Sequence, residues 1–490
     1  MESSHKVDTR KPTNISKVSS QVQYYYFTKK DAIFLLVLTL LSFLTRFYRL
    51  DEPPAVVFDE FHFGKFVTWY FTGEYFFDIH PPLGKLFLYL GGTLGKFKTG
   101  FLFDAIGAEY GETKFYVLRS VSGLFGTLSV PFMYLLCRVF GLSVESSILG
   151  SSLVLFDFMS LIESRLILVD SQLQFFCIVS LLSAFMLWNS CPKTWSRMFW
   201  LIMTAMLSGF AISIKWTALA TPGAIAIASF FGLFLMSRPL DLWECALAGL
   251  VGLITYVIPF YIHFRMLPLS GTGDAFMSVE FQKTLKGSPY YDPIFPPESF
   301  WKNFLYLNKE MLRANSAIKE RHPWESKWYE WPLNLRGLLY YTEELENGLS
   351  RQIYLIGNPV VMYVCILFAL SFFFCLIFYC RYRYLISNDI ELARLLSKGM
   401  FLFLAYSLNL FPYIAVDRSA FLYHYIPGLL YAELLTALMI DSFPKQGQKW
   451  IVTMILLLEL LAFLYWAPWI YCIPLSATQH QRRRWLPRWN

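Results

Sequence analysis

The chain has 490 residues, of which 56% are hydrophobic and only 16% are charged. A soluble globular chain is about 25% charged, so this balance excludes an ordinary soluble protein and favours a polytopic membrane protein. The formal charge of +7 is modest, and in a membrane protein it reports loop topology rather than affinity for nucleic acid.

The N-terminal residues 1–31 are polar and basic, and no cleavable signal peptide is evident. The first apolar run begins at Ala32 and is predicted to be a signal-anchor span. At roughly 20 residues per span, about eleven apolar runs are long enough to cross a bilayer. They lie at 32–50, 115–137, 146–163, 166–188, 198–215, 217–236, 240–264, 353–380, 399–416, 419–441 and 450–473. The sequence predicts an all-α polytopic membrane domain over 32–473 and a C-terminal tail over 474–490.

The Lys and Arg residues of alternate short loops fall on one side of the membrane if the N-terminus is cytoplasmic. Two long loops, 51–114 and 265–352, then share the opposite, lumenal side. The aromatic and mixed-charge composition of the second loop predicts that it packs on the membrane domain. The basic run Arg482–Arg484 also falls on the lumenal side, against the charge rule.

The sequence predicts no metal site. Its eight cysteines fall mostly inside apolar runs, and none pairs at a spacing typical of metal ligands. We interpret them as small core residues, and we infer neither a zinc site nor a disulfide framework.

The most informative stretch lies in the first long loop, where ionisable side chains sit just after an apolar run. Asp59 and Glu60 are adjacent carboxylates, and Asp78 and His80 precede a Pro-Pro turn that stiffens the backbone. Such groups are costly near hydrocarbon unless they serve a site, and a carboxylate is the usual base for activating a hydroxyl. The alternative is structural: Asp59 caps a helix over 60–71, and Asp78 belongs to a surface turn.

Several basic side chains lie near the lumenal ends of different predicted helices. They are Arg119, Arg165, Lys215, Arg418 and His424. Cations from separate helices can converge on one phosphate, although a single interfacial Arg or Lys more often snorkels to lipid headgroups. Asp170 is a candidate partner for Arg165. Asp157, inside a predicted span, is either functional or part of a helix–helix hydrogen bond.

At these residues the chain resembles the protein O-mannosyltransferase family. The matching stretches occur in family order and cover most of the chain from the first span to the tenth. They are DEFHFGKF, FFDIHPPLGKL, LRSVSGLFGTLSVP, LIESRLILVDSQLQFF, ISIKWTAL, GTGDAFMSVEFQKTLKG, HPWESKWYEWPL, QIYLIGNP and RSAFLYHYIPGLLY.

The resemblance implies a GT-C glycosyltransferase fold in the endoplasmic reticulum membrane, with about eleven spans and a lumenal active site. It implies transfer of mannose from dolichyl-phosphate β-mannose to Ser or Thr hydroxyls of secretory-pathway proteins, with inversion. The lipid-linked donor is then a substrate, and no cofactor is implied. The implied partners are the donor, acceptor polypeptides, membrane lipids and a second copy or another family member in a dimer, with no nucleic acid.

The resemblance also implies residue roles. Asp59 matches the family's proposed base, and Glu60, Asp78 and Arg119 match positions that the family uses for activity. Lys215 and Arg418 match the neighbourhood expected to hold the dolichyl phosphate. We expect Glu60, Asp78 and His80 to orient acceptor and sugar, and Arg119, Lys215 and Arg418 to stabilise the departing phosphate. Arg165 and His424 complete the expected substrate-binding set.

The chain departs from the family pattern in loop 265–352, where eukaryotic members usually carry a β-trefoil MIR domain. The loop is too short for that domain, and two stretches that flank it in relatives, GTGDAFMSVEFQ and HPWESKWYEWPL, are almost adjacent. Two rival functions stay open at this point. One is a GT-C transferase with a lipid or glycan acceptor, and the other is an inactive homologue or a polytopic transporter.

Overall fold

The computed structural model describes residues 27–489 except 234, 237 and 387–389. Most of the predicted cytoplasmic tail, residues 1–26, therefore lies outside the described residues. The α-helices are α1 Lys29–Phe47, α2 Glu60–Thr72, α3 Leu83–Leu94, α4 Tyr116–Val139, α5 Val144–Phe156, α6 Phe158–Glu163, α7 Asp170–Trp188, α8 Trp195–Ile214, α9 Ala220–Phe231, α10 Leu242–Met266, α11 Val279–Gln282, α12 Phe300–Ala317, α13 Pro359–Ile386, α14 Ile390–Leu410, α15 Ile426–Asp441, α16 Lys445–Ile470 and α17 Ala477–Arg483. Short 3-10 turns lie at Trp216–Leu219, Asp274–Phe276, Glu346–Gly348, Phe411–Ala415 and Leu422–Tyr425.

Each of the eleven predicted apolar runs contains helix. In the described part of the chain, seven helices are long and apolar enough to cross a membrane: α4, α7, α8, α10, α16, and the segments Pro359–Tyr382 and Leu392–Ala415. The remaining runs form α1, the α5–α6 pair, the Trp216–Phe231 segment and α15. Those helices are shorter or, in α1, carry charges at both ends. The total number of spans stays a prediction.

Asp157 separates α5 from α6. Its carboxylate accepts hydrogen bonds from the amides of Met159 and Ser160 and from the Ser160 hydroxyl, so it caps the second helix. Asp157 therefore has a local structural role as an N-cap, in place of the functional role or the helix–helix hydrogen bond that the sequence left open.

Burial divides the bundle into a centre and a periphery. In the apolar 18-residue stretch of α7, 83% of the residues are buried within the protein, compared with 17% in the corresponding stretch of α10. Every residue of α15 from Ile426 to Ile440 is buried. Because a helix that is apolar on all faces needs apolar surroundings, α7 and α15 form the core, and the outward side chains of α10 are suited to lipid.

The two long loops pack against each other through their backbones. The Tyr75 amide donates to the Leu269 carbonyl at 2.8 Å, and the Gly273 amide donates to the Tyr75 carbonyl at 3.1 Å. A Cβ on Gly271 or Gly273 would overlap the backbone of Tyr75 or Phe76. The glycines of the GTGDAF stretch are therefore required by this close approach. The same loop also contacts the membrane domain, as predicted, where Phe304 of α12 packs on Phe260 of α10 with 5.1 Å between ring centroids.

A small antiparallel sheet, which the sequence analysis did not predict, completes the loop face. Its strands are β1 Leu338–Glu344, β2 Leu349–Leu355 and β3 Leu475–Ser476, in the order β1-β2-β3. Leu338 pairs with Leu355 and Glu344 with Ser350, and the register shifts between Leu339 and Tyr341. β1 is therefore an edge strand that carries a bulge at Tyr340.

The C-terminal tail lies on the same face as loop 265–352. The Trp489 indole donates to the Asn334 carbonyl at 2.7 Å, and Arg488 forms an ion pair with Glu330. This arrangement agrees with the expectation that Arg482–Arg484 lie on the side of the long loops. That this side is lumenal stays a prediction.

Candidate active site

Glu60 begins α2 and is completely buried, with its carboxylate fully hydrogen-bonded. It accepts hydrogen bonds from the Val57 and Ile167 amides, each at 2.9 Å, and from the Tyr110 hydroxyl at 2.9 Å. Its two oxygens also receive the Arg119 guanidinium at 2.8 and 3.0 Å. Glu60 therefore has no free oxygen for a substrate, and the expectation that it orients acceptor and sugar is corrected.

Arg119 uses all five of its N–H donors within the protein. Besides Glu60, it donates to the carbonyls of Leu50, Pro53 and Ala55 at 3.0–3.1 Å. The side chain is completely buried. The expectation that Arg119 stabilises the departing phosphate is corrected, because a guanidinium has five donors and none is left for a ligand.

Arg165 is likewise part of the scaffold. Its guanidinium donates to the carbonyls of Arg46, Tyr48 and Arg49 and stacks over the Tyr471 ring at 4.5 Å. These bonds hold the end of α1 and the start of the first loop. Arg165 neither snorkels nor faces a described cavity, so its expected contact with substrate is also corrected.

Asp59 differs from its neighbour Glu60. It occupies the N-cap position of α2, but its side chain makes no capping bond and has no hydrogen bond to another described residue. Asp59 is half-buried and lines a cavity of about 540 Å³. Burial raises the pKa of Asp59 above its ordinary value of 3.8. His62 and Lys215 oppose the rise, and Asp170 and Asp78 add to it. The structure thus contradicts the alternative that Asp59 serves only as a capping side chain.

Phe58 fixes the backbone that carries Asp59. It adopts a left-handed conformation with φ 46°, which costs free energy for a residue with a Cβ. Its ring stacks on Tyr340 at 4.2 Å between centroids and lies 6.2 Å from Tyr423. The Tyr340 hydroxyl in turn donates to buried Glu163. This aromatic stack stabilises the strained residue next to the carboxylate.

Asp78 and His80 are held by a lysine that the sequence analysis did not select. Lys85 Nζ lies 2.5 Å from the Asp78 carboxylate and also donates to the His80 and Pro81 carbonyls. Burial alone would raise the pKa of Asp78, but the Lys85 charge lowers it overall. Burial, together with the charges of Lys215, Lys85 and Arg418, lowers the pKa of His80 to about 3, although Asp78 opposes the shift. His80 is therefore a neutral imidazole within electrostatic range of these cations.

Lys215 ends α8 and forms a buried ion pair with Asp170 at 2.6 Å. The suggested pairing of Asp170 with Arg165 is therefore wrong. The Lys215 ammonium also lies 5.4 Å from the centroid of the Tyr423 ring, which borders the cavity of Asp59. The pair thus lies beside the carboxylate, and its single positive charge is largely matched.

Arg418 has no hydrogen bond to another described residue and is half-buried. It lines a second cavity of about 950 Å³ together with Trp216, Asn409, Lys319 and Arg321. His424 follows on the Leu422–Tyr425 turn, where its ring stacks on Tyr423 at 4.4 Å and bonds locally to Phe421. Arg418 therefore has donors available for an anion.

The structure brings together Asp59, Asp78, His80, Lys215, Arg418 and His424, and it separates Glu60, Arg119 and Arg165 into the scaffold. Lys85, Glu163 and Tyr340 are additions that the sequence analysis missed. Lys85 had a local signal, a charge in the first turn of an apolar helix after Pro-Pro. Chemically, the arrangement offers one carboxylate able to accept a proton and, nearby, cations able to stabilise an anionic leaving group.

Two family profiles match this chain and together span most of it. The profile described as dolichyl-phosphate-mannose-protein mannosyltransferase matches residues 36–267. The profile described as the C-terminal four TMM region of protein-O-mannosyltransferase matches residues 300–489.

Curated relatives give the same result over about half of the chain. Dolichyl-phosphate-mannose--protein mannosyltransferase 4 of Saccharomyces cerevisiae is 37% identical over 271 residues, which are 52% of this chain and 35% of that protein. Protein O-mannosyl-transferase 2 of Danio rerio is 32% identical over 277 residues, 54% of this chain and 37% of that protein. The chain thus spans little more than a third of the length of these relatives.

A solved structure shares the fold over nearly the whole chain. It is the S. cerevisiae protein O-mannosyltransferase Pmt1-Pmt2 complex bound to the sugar donor, with a TM-score of 0.87 at 19% sequence identity. The match covers 97% of this chain and 94% of that chain. The predicted fold class, a helical membrane protein of the GT-C type, is confirmed.

Proposed function

The chain belongs to the protein O-mannosyltransferase family, and from that premise we propose that it transfers mannose from dolichyl-phosphate β-mannose to Ser or Thr hydroxyls of secretory-pathway proteins. The observation that carries the proposal is Asp59. It is a half-buried carboxylate with no hydrogen bond to another described residue, at the wall of a cavity of about 540 Å³.

In the proposed reaction, Asp59 accepts the proton of the acceptor hydroxyl while that oxygen attacks C1 of mannose. The new bond joins the acceptor oxygen to C1, and the bond between C1 and the phosphate oxygen breaks. The electron pair of the broken bond leaves with dolichyl phosphate. Attack opposite the leaving group inverts the configuration at C1. The raised pKa of Asp59 supports this role, because a more basic carboxylate is a better proton acceptor.

We assign the donor to the cavity of about 950 Å³ that Arg418 lines. Arg418 has free donors for the phosphate. Lys215, which precedes Trp216 of the cavity wall, is already paired with Asp170 and holds that wall in place. A third cavity of about 640 Å³ is almost entirely apolar and shares Trp216 and Leu219 with the donor cavity. We assign the isoprenoid chain of the donor to it.

In this proposal, the other expected site residues do not contact the substrate and instead hold the residues that do. Glu60 and Arg119 fix the backbone around Asp59, and Arg165 fixes the preceding segment. Asp78 and Lys85 hold the turn that carries His80, which faces the cations as a neutral group. His424 stacks on Tyr423, which lines the cavity of Asp59.

The proposal includes the cellular setting that the family resemblance implies. The protein lies in the endoplasmic reticulum membrane with a cytoplasmic N-terminus and a lumenal site. The positions of the two cavities lined by Asp59 and Arg418 and of the C-terminal tail, beside the long loops, are compatible with this setting. A dimer with a second copy or another family member is part of the same proposal, and cross-linking followed by mass determination tests it.

The test is mannose transfer from dolichyl-phosphate mannose to a Ser/Thr-rich peptide by the purified chain. Asp59→Asn is expected to abolish transfer, and Asp51→Asn, an exposed carboxylate of the same loop, is the matched control that retains it. If the wild-type chain is inactive alone and when co-expressed with another family member, the proposed function is wrong.

A further inference from the structure

The edge strand β1 forms one wall of the cavity that contains Asp59. One side of β1 pairs with β2, and no backbone group on its other side bonds to another described residue. Four consecutive residues, 339–342, line the cavity. Side chains of a strand alternate between its faces, so four consecutive lining residues mean that the backbone edge itself is presented to the cavity.

Other residues that line the cavity come from the start of α2 and from the first loop. Asp59 and His62 lie there, with Ile106 and Gly107 beside them. We call this cavity the slot; the unpaired edge of β1 and the proposed base both line it. Natural proteins usually cover or charge an exposed edge, because an open edge recruits another strand.

We propose that the acceptor polypeptide binds in this slot as an added strand on the free edge of β1. The inference rests on the proposed function, since it identifies the occupant as the chain that bears the hydroxyl. The occupant is an extended Ser- or Thr-containing segment, because the slot contains the carboxylate that must contact the acceptor oxygen. Main-chain hydrogen bonds to β1 then supply affinity that does not depend on the acceptor's side chains.

The register of the added strand follows from Tyr340. Its side chain points inward, stacks on Phe58 and bonds to Glu163. Residues directly opposite on neighbouring strands place their side chains on the same face. A hydroxyl residue opposite Tyr340 therefore points toward the Phe58–Asp59 side of the slot, and its two neighbours point away. The bulge at Tyr340 locally turns this part of the strand, as bulges beside active sites do.

A scan of backbone N-methylation along a single-Ser peptide tests the proposal. N-methylation removes one amide donor and leaves every side chain unchanged. We expect the effect to alternate along the peptide. N-methylation at positions whose N–H faces β1 should raise KM by about 2-fold to 10-fold, the range for one hydrogen bond, and N-methylation at the intervening positions should leave KM unchanged. Losses that do not alternate along the peptide would overturn strand addition. Transfer to the unmethylated peptide reports the proposed function separately, so the two failures are distinguishable.

Disulfide cross-linking gives a second readout that does not require turnover. In a chain whose exposed Cys191 and Cys380 are replaced by Ser, Thr342→Cys and Glu344→Cys are each combined with peptides carrying one cysteine. The peptide position that cross-links best is expected to shift by two residues between the variants, because they are two residues apart on one edge. Glu346 is exposed in the hairpin turn beyond β1. Glu346→Cys is therefore the control, and we expect it to cross-link to no particular position of the peptide. Cross-linking without a position preference at Thr342→Cys and Glu344→Cys would overturn the proposal.

Discussion

Two regions beside the first long loop contain acidic and basic side chains that differ in how completely they are hydrogen-bonded. We call Glu60, Tyr110, Arg119 and Arg165 the loop cluster, and Asp59, His80 and Arg418 the open site. In the loop cluster, Glu60 and Arg119 are completely buried, and Arg119 uses every donor it has. In the open site, the side chains of Asp59 and Arg418 make no hydrogen bond to another described residue. Adjacent residues, Asp59 and Glu60, thus lie in different hydrogen-bonding environments.

The type of residue does not distinguish structural side chains from candidate catalytic ones here. The number of hydrogen-bonding groups left without a partner does distinguish them. A buried charge is tolerated when all of its donors or acceptors are matched. A group that must bind a substrate needs unmatched donors or acceptors before the substrate arrives. Substitutions in the loop cluster should therefore affect stability first, and substitutions in the open site should affect transfer first.

The largest expected effect is on stability, from Arg119→Ala. The substitution leaves the Glu60 carboxylate buried without its partner and frees three backbone carbonyls. We expect a loss of about 3–5 kcal/mol in the free energy of unfolding, measured as a lower unfolding temperature in detergent and a lower yield of folded protein. Arg418→Ala removes the same group from the open site and should leave the unfolding temperature unchanged. Wild-type stability of Arg119→Ala would contradict the division into two regions.

The next effect is on transfer, from Arg418→Gln. If Arg418 stabilises the departing phosphate, kcat/KM should fall by about 10²-fold to 10³-fold, the range for removing one donor to developing negative charge. Steady-state transfer measured against donor concentration checks this, with the unfolding temperature as the stability readout. Lys319→Gln, a neighbour on the wall of the same cavity, controls for a general loss of charge. An equal effect from both substitutions would remove the specific role of Arg418.

The pH dependence of transfer tests Asp59. A base must be deprotonated, and the pKa of Asp59 is raised, so kcat/KM should fall as the pH drops through that raised value. Below that value, kcat/KM is expected to fall by about tenfold per pH unit, and this acid limb begins at a higher pH than it would for a carboxylate with its ordinary pKa. The pKa of His80 is held at about 3, so His80→Asn should keep the limb in place. A limb that moves in His80→Asn would assign it to the imidazole instead.

The sequence predicted those features that depend on local composition. A bilayer requires long apolar runs, and each predicted run contains helix. Position alone does not identify a site, because Arg119 and Arg165 were selected on the same ground and belong to the scaffold. Asp59, Lys215 and Arg418 were selected as charged residues at the ends of apolar runs, and Lys215 lies within electrostatic range of Asp59. Their chemical roles stay proposals.

The features that the sequence analysis missed depend on contacts between distant parts of the chain. Arg119 meets Glu60 across 59 residues, and nothing near Arg119 in the sequence indicates that three carbonyls will complete its coordination. The Lys215–Asp170 pair spans 45 residues, so the nearer Arg165 was the obvious but incorrect partner. The β1–β2 hairpin is short, and β3 pairs with it only after the last long helix has returned the chain to the same face.

The smallest predicted effect lies at the boundary between the two regions, at Phe58. Its φ of 46° is unfavourable without the stack on Tyr340, and an aromatic pair is worth about 0.5–1.5 kcal/mol. In Phe58→Ala, the segment before Asp59 should relax, and kcat should fall by about 2-fold to 10-fold while KM for the donor stays constant. Tyr340→Phe keeps the ring, loses only the bond to Glu163, and should retain most of kcat. If Tyr340→Phe lowered kcat more than Phe58→Ala, the hydrogen bond to Glu163 would position Asp59, and the aromatic stack would not.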